Sequence, residues 1–122
     1  MSMISVKKQS KKIDQLIMAI TAIADPVFEE DEIRVVNKLI HEFAPSPKTV
    51  CEPDYYNSVD AVEKTFSFPW AFPHTCYDSA NAGWHVQLEN GIAVPFKEYY
   101  GHAQSEASAR LIAYLRAHKG TT

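Results

Sequence analysis

The sequence predicts an α+β fold: a three-layer α-β-α sandwich with a small antiparallel sheet between helices. Three observations predict it. Apolar residues recur at three- and four-residue steps in the N-terminal third, they alternate with polar residues on either side of Asn90-Gly91, and a second helical pattern closes the chain. A length of 122 residues with 46% hydrophobic residues suits one hydrophobic core. We therefore expect a single domain over 1–122, with a helical segment 10–44, a linker 45–52 and an α/β segment 53–119.

From Ser10 to Ala24, Ile13, Leu16, Ile17, Ile20 and Ile23 fall on one stripe of a helix. Asp25-Pro26 is a break and a new start, because Asp caps free N–H groups and Pro is tolerated at the first helical position. The second helix is expected to run to about Ala44 with Ile33, Val36, Leu39, Ile40 and Phe43 inward. Glu29, Glu30, Asp31 and Glu32 crowd its start, where acids favour the positive end of the helix dipole; the other reading of this run is an acidic patch for a basic partner. Pro45-Ser46-Pro47 predicts an extended connector.

Asn57 or Ser58 can cap a short helix carrying Val59, Ala61 and Val62. Phe66, Phe68, Trp70 and Phe72 then alternate as on a strand face, which Pro69 restricts to an edge or irregular strand. Residues 73–82 read as a loop. Trp84, Val86 and Leu88 alternate with His85, Gln87 and Glu89, Asn90-Gly91 signals a tight turn, and Ile92, Val94 and Phe96 continue the pattern, so a β-hairpin is expected at 83–97. Tyr99 and Tyr100, ahead of Gly101-His102, are placed in a loop. The stretch Ala103-Gln104-Ser105-Glu106 opens the last helix, with Ala107, Leu111, Ile112 and Leu115 inward and Gly120 as its stop.

The chain is expected to lie in the cytoplasm. No run approaches the roughly 18 apolar residues of a membrane helix, and no apolar run with a cleavage site follows the basic N-terminus. Two cysteines, Cys51 and Cys76, are too few for a disulfide framework. The net charge of −3 is uneven. Residues 1–24 set four lysines against Asp14, whereas residues 25–44 set six acids against Arg34 and Lys38. Without a concentrated basic face elsewhere, nucleic acid is not the expected partner.

Three segments together carry a family resemblance: Pro53-Asp54-Tyr55-Tyr56-Asn57-Ser58-Val59-Asp60-Ala61, Gly83-Trp84-His85-Val86, and Ser105-Glu106-Ala107-Ser108-Ala109-Arg110-Leu111-Ile112. Over roughly 53–118 the chain resembles the phage ABA sandwich domain, in which a proline and tyrosine precede a helix, a tryptophan-bearing strand follows, and an alanine-rich helix with an early arginine ends the domain. The resemblance implies an α-β-α fold and a phage or prophage origin, hence a host cytoplasm, and it implies no activity. The N-terminal helices and the stretch 66–77 are additions to that pattern, where an individual function is expected to reside.

For chemistry, no nucleophile elbow, P-loop or dinucleotide fingerprint occurs. A metal is not expected, since His74, Cys76 and His85 lack the spacing that pre-arranges ligands, and no cofactor is implied. A cysteine–histidine–aspartate set can be drawn from Cys76, His85 or His102 and Asp78, although such sets are defined by geometry. Trp84 is expected in the core. The binding candidates are Tyr99, Tyr100 and His102, as loop residues; Arg110 with Tyr114 one helical turn on, for a phosphate or base, against a plain solvated arginine; and Glu29, Glu30, Asp31 and Glu32. These lead to a non-enzymatic binding protein, in its sharp form an inhibitor of host defence that occupies a host protein or a small nucleotide signal, with homo-oligomers compatible. The alternatives are a small enzyme or a virion structural component.

Overall fold

A computed structural model describes residues 3–44, 52–90 and 97–120, with side chains from Gln9 onward. The linker 45–52, apart from Glu52, lies outside the described residues, as do Cys51 and the stretch 91–96. Helix α1 spans Met3–Thr21 and α2 spans Glu30–Phe43. The apolar stripe of α1 is buried through Ile13, Leu16 and Ile20, with Ile23 just beyond it. On α2, Ile33, Val36 and Ile40 are buried as the spacing predicts, whereas Leu39 is exposed.

The second helix begins at Glu30 and not at Asp25-Pro26. The Asp25 carboxylate closes a turn by accepting from Val27 N at 3.2 Å, and the Glu29 carboxylate accepts from Ala24 N at 2.9 Å and Asp25 N at 2.6 Å. Those bonds satisfy the donors of a tight connection, so helix resumes only after Glu29. Glu30, Asp31 and Glu32 then occupy the first turn of α2, where the dipole favours them.

Helix α3 spans Val59–Phe66, capped by Ser58, whose Oγ accepts from Ala61 N at 3.1 Å. Strands β1 (Ala71–Asp78), β2 (Gly83–Asn90) and β3 (Lys97–Ala103) form one antiparallel sheet in that order, and α4 covers Glu106–Gly120. Phe66 ends α3, and the strand begins only at Ala71, so that of the alternating aromatics only Phe72 is in it. Most of the expected loop 73–82 is strand. Pro73 sits in β1 because β1 is an edge strand, where a missing N–H is tolerated.

The first strand of the expected hairpin at 83–97 is β2, but the strand it pairs with is Lys97–Ala103 and Asn90 is not in a turn. Asn90 pairs with Lys97, which leaves residues 91–96 as the connection, and the expected Gly91 turn and Ile92, Val94 and Phe96 strand lie outside the described residues. Tyr99, Tyr100 and Gly101 are strand residues opposite Leu88, Gln87 and Val86. Ala103 closes β3, so the last helix starts at Glu106 behind Ser105, whose Oγ accepts from Ser108 N at 3.1 Å.

The α+β class, with helices packed on an antiparallel sheet, is the one the sequence predicts. Helix α4 lies on the sheet, α3 and α1 pack on α4, and α2 packs on α1. The described helices therefore gather on one face, and among them none supplies the second helical layer that the α-β-α reading expected on the other. Val86, Leu88, Gly101 and Ala103 point toward α4 and are buried, while the alternate residues of all three strands, Gly83 apart, are exposed or half-buried.

The segment leading into α3 ties the layers together. Buried Asn37 of α2 donates to Asp54 Oδ1 at 2.8 Å and accepts from Tyr56 N at 2.9 Å. The Tyr56 carbonyl accepts from Ser105 Oγ and from Ser108 Oγ, the latter at 2.9 Å. Tyr55 and Tyr56 are both buried, and the Tyr55 hydroxyl meets His41 Nδ1 at 2.9 Å.

Two of the buried titrating groups, His118 and Tyr56, illustrate how stability depends on pH. Burial against Phe68 and Phe66 lowers the His118 pKa below its ordinary 6.5, more than the hydrogen bond that the imidazole donates to the Phe66 backbone carbonyl raises it. A depressed folded pKa gives stability that is full above 6.5 and is lost as pH falls through the folded value. Burial, and then the charge of Glu29, pushes the Tyr56 hydroxyl from 10.0 up to about 12. That raised group gives stability full below 10.0 and lost as pH rises toward 12. Urea midpoints are expected to form a plateau between roughly pH 7 and 9.5 and to fall on both sides. His118→Phe should flatten the acid limb, and an unchanged acid limb would remove His118 from this account.

Candidate functional site

The side of the sheet turned away from α4 gathers the chemistry-bearing side chains. Strand alternation places Phe72, His74 and Cys76 of β1 on it, with His85, Gln87 and Glu89 of β2 and Glu98, Tyr100 and His102 of β3. The register lays these in three rows: Phe72–Glu89–Glu98, His74–Gln87–Tyr100 and Cys76–His85–His102. His74 Nε2 lies 3.3 Å from Glu89 Oε2. The Tyr100 hydroxyl donates to Glu98, which raises the Tyr100 pKa, and the Tyr100 ring stacks beside His85 at 5.9 Å. Phe72 and Tyr100 remain 58% and 43% exposed.

Of the expected loop residues, Tyr100 and His102 share this open face. Tyr99 points the other way, half-buried against the core and beside Gly120, where an added Cβ would meet its ring at 2.9 Å. Gly120 is thus the final residue of α4, held there by a close approach. Trp84 is half-buried on the α4 side, edge-on to Tyr77 at 5.6 Å.

The sheet brings Cys76, His85 and His102 into one row. Asp78 is committed elsewhere: its carboxylate accepts from the Asn81 side chain at 2.7 Å, Ala80 N at 3.1 Å and Asn81 N at 3.3 Å. The Asn81 bond chiefly, with a smaller contribution from the charge of His102, lowers its pKa. Asp78 therefore shapes the β1–β2 turn rather than orienting an imidazole. His74, Cys76 and His85 share the face, yet among the described residues no three His, Cys, Asp or Glu side chains are placed to hold a metal ion.

Arg110 and Tyr114 do share a face of α4, but that face is turned inward. Arg110 donates to Glu63 at 2.7 Å and to Glu106 at 3.2 Å, and the Tyr114 hydroxyl donates to both Glu63 oxygens at 2.8 and 2.7 Å. Burial alone would lower the Arg110 pKa, yet its bonds to Glu63 and Glu106 raise it; burial and the same carboxylate raise that of Tyr114. Neither the phosphate reading nor the solvated-arginine reading describes this arrangement, in which two carboxylates already occupy the guanidinium.

The four acids separate into roles. Glu29 ties the α1–α2 connection, and Asp31 lies 3.4 Å from Arg34 at the surface. Glu30 borders a polar cleft with Arg34, Asn37 and Asp54, and Glu32 borders an apolar groove with Val35 and Ala22.

Sequence reasoning missed the open face as a unit, because it placed β1 five residues early and β3 in a loop. The available signal was the alternation of Tyr100 and His102 against Tyr99, Gly101 and Ala103, with glycine marking an inward position. Comparison with protein-family models, with curated proteins and with solved structures finds no match. Among the described residues no helix is long and apolar enough to cross a membrane.

Proposed function

We propose that the protein is a non-enzymatic binding protein that engages a protein partner through the open face of its sheet. The observation that carries this reading is a sheet face that no helix among the described residues covers and that displays exposed Phe72 and Tyr100 among His74, His85 and His102. Tyrosine and other aromatics are favoured where interfaces bury their cores. Glu89 and Glu98 make the face unsuited to a phosphate backbone, which favours protein over nucleic acid. A protein partner is also favoured over a nucleotide signal, since Arg110 and Tyr114 are already bound by Glu63. Inhibition of host defence by occupying a host protein is the specific form of this reading, supported by the likeness of 53–118 to the phage domain.

The test is capture from extract of the source cell on immobilised full-length chain. Replacing Phe72 and Tyr100 together by Lys is expected to abolish capture of the species bound by the parent chain, while the circular dichroism spectrum and Tm stay unchanged. Val27→Lys, at the exposed α1–α2 connection, is expected to retain it. Undiminished capture by the Phe72/Tyr100 variant would rule this face out.

A further inference from the structure

The two edges of the sheet are finished differently. In an antiparallel pair each residue either bonds the strand beside it or turns its N–H and C=O away from it, in alternation. On β3 the Tyr100 carbonyl accepts from the Arg116 guanidinium of α4, so this outer edge is capped at its centre from within the chain. Tyr100 lies opposite Gln87, and Gln87 lies opposite His74. Since the Tyr100 backbone turns outward, Gln87 directs its own backbone groups to His74 on the other side. The backbone of His74 thus faces β2, and that of Ala71, Pro73, Thr75 and Tyr77 faces outward. Two observations agree: the Ala71 N–H donates to the Phe68 carbonyl at 3.2 Å, and Pro73, which has no N–H, stands where β2 requires none. The backbone groups of Thr75 and Tyr77 are left as an open run, which no described residue bonds.

We propose that a second copy of this chain pairs with this edge, β1 antiparallel to β1 about a two-fold axis perpendicular to the sheet at Cys76, to give one continuous six-stranded sheet. Such an interface uses one patch on both copies, so the patch has to complement itself. At this register Thr75 of each copy lies opposite Tyr77 of the other as a hydrogen-bonded pair, and the open N–H and C=O groups of both copies satisfy one another. The residues between them form the closer pairs, with Cα atoms about 4.5 Å apart: Cys76 opposite Cys76 on the axis, and His74 opposite Asp78 on either side of it. An imidazole facing a carboxylate is a favourable cross-strand pair, and so is threonine facing tyrosine. A register shifted one step either way sets His74 against Cys76 or Ala80 and loses both charge pairs. The helical layer leaves room for the second sheet, because α4 lies mainly over β3 and β2. Tyr77, on the α4 side of β1, is accordingly 58% exposed despite its contact with Trp84, and Thr75 of the second copy would cover it. The outer edges of the joined sheet are then the two copies of β3, each capped by its own Arg116, which stops the sheet from growing further.

Sedimentation velocity and light scattering on the full chain, over roughly 1–500 µM, test the proposal. A concentration-dependent dimer is expected. His74→Asp, at an exposed position, should weaken it about tenfold by setting like charges opposite each other twice, whereas His74→Lys should hold it at least as tightly as the parent. Thr75→Pro removes an outward N–H that β2 does not use and should abolish it. In a Cys51→Ser chain a short bis-maleimide is expected to join the two copies through Cys76, and to do so far less in the His74→Asp background. The chain carrying Phe72→Lys and Tyr100→Lys should dimerise like the parent, which separates this result from that of the open sheet face. A monomer throughout the range, or a dimer indifferent to His74→Asp and Thr75→Pro, would overturn the proposal. Circular dichroism on each variant checks that the sheet persists, and His74→Asp decides alone should Thr75→Pro perturb β1.

Discussion

Gly101→Ala is expected to lower Tm by about 10 °C, the equivalent of about 3 kcal/mol in a domain of this size. Gly101 pairs with Val86 on the α4 side of the sheet, and a Cβ added there would lie 2.0 Å from the Ala109 carbonyl oxygen and 2.9 Å from Ala113 N. Both are backbone atoms of α4, so no side chain can swing aside to make room. The helix itself must move away from β3. That movement loosens Leu111, Ile112 and Leu115, which are buried on the same helix, together with Val86 and Leu88 beneath it. Ala109 and Ala113, whose backbone meets Gly101, are buried with it: short side chains there let α4 approach the sheet closely. Gly101→Val should cost more than Gly101→Ala. Urea melts check both, and a Gly101→Ala protein as stable as the parent would show that α4 does not seat on β3 in this way.

Glu63→Ala is expected to destabilise by about 3 kcal/mol, a large effect for one side chain of α3. Its carboxylate accepts from Arg110 at 2.7 Å and from the Tyr114 hydroxyl through both oxygens. Arg110 is 17% exposed at its side chain and Tyr114 is buried, so deleting Glu63 strands a charge and a hydroxyl away from water. Glu106, at 3.2 Å, retains part of the pairing for Arg110, which keeps the effect from growing larger. Tyr114→Phe removes one donor and leaves the ion pair whole, so about 1 kcal/mol is expected from it. In the Glu63→Ala background Tyr114→Phe should cost little or nothing, because its acceptor is already gone. Additive losses from the two substitutions would contradict the shared network.

How far the sequence disclosed this architecture depended on whether a segment's pattern was set locally. The stripes of α1 and α2, the capped start of α3 and the alanine-rich α4 follow from spacing and caps, although α1 reaches back to Met3 instead of starting at Ser10, α2 starts at Glu30 and Leu39 of its stripe is exposed. Strand β2 follows from the alternation of Trp84, Val86 and Leu88. Strand β3 did not, because its inward residues are Tyr99, Gly101 and Ala103, a pattern of shrinking side chains that makes sense only with a helix backbone pressed against it. Strand β1 was displaced toward Phe66, Phe68 and Trp70, whose alternation comes from packing: Phe68 stacks on Trp70 at 4.6 Å and lies 4.3 Å from His118. Tyr100 and His102 were identified as binding candidates by residue type, and their common face with His74 and His85 emerged only with the register. Arg110 and Tyr114 were correctly paired along the helix, but Glu63 lies 47 residues before Arg110, beyond the reach of any local pattern.

The most direct test of the open sheet face uses Cys76, which is exposed at the middle of its edge strand. In a Cys51→Ser chain, a bulky maleimide is expected to label Cys76 in the native protein, and the labelled chain is expected to lose the partner that the unlabelled chain captures, with its Tm unchanged. A Cys76 that resists labelling until the protein is unfolded, or a labelled chain that captures its partner as before, would contradict the assignment of recognition to this face.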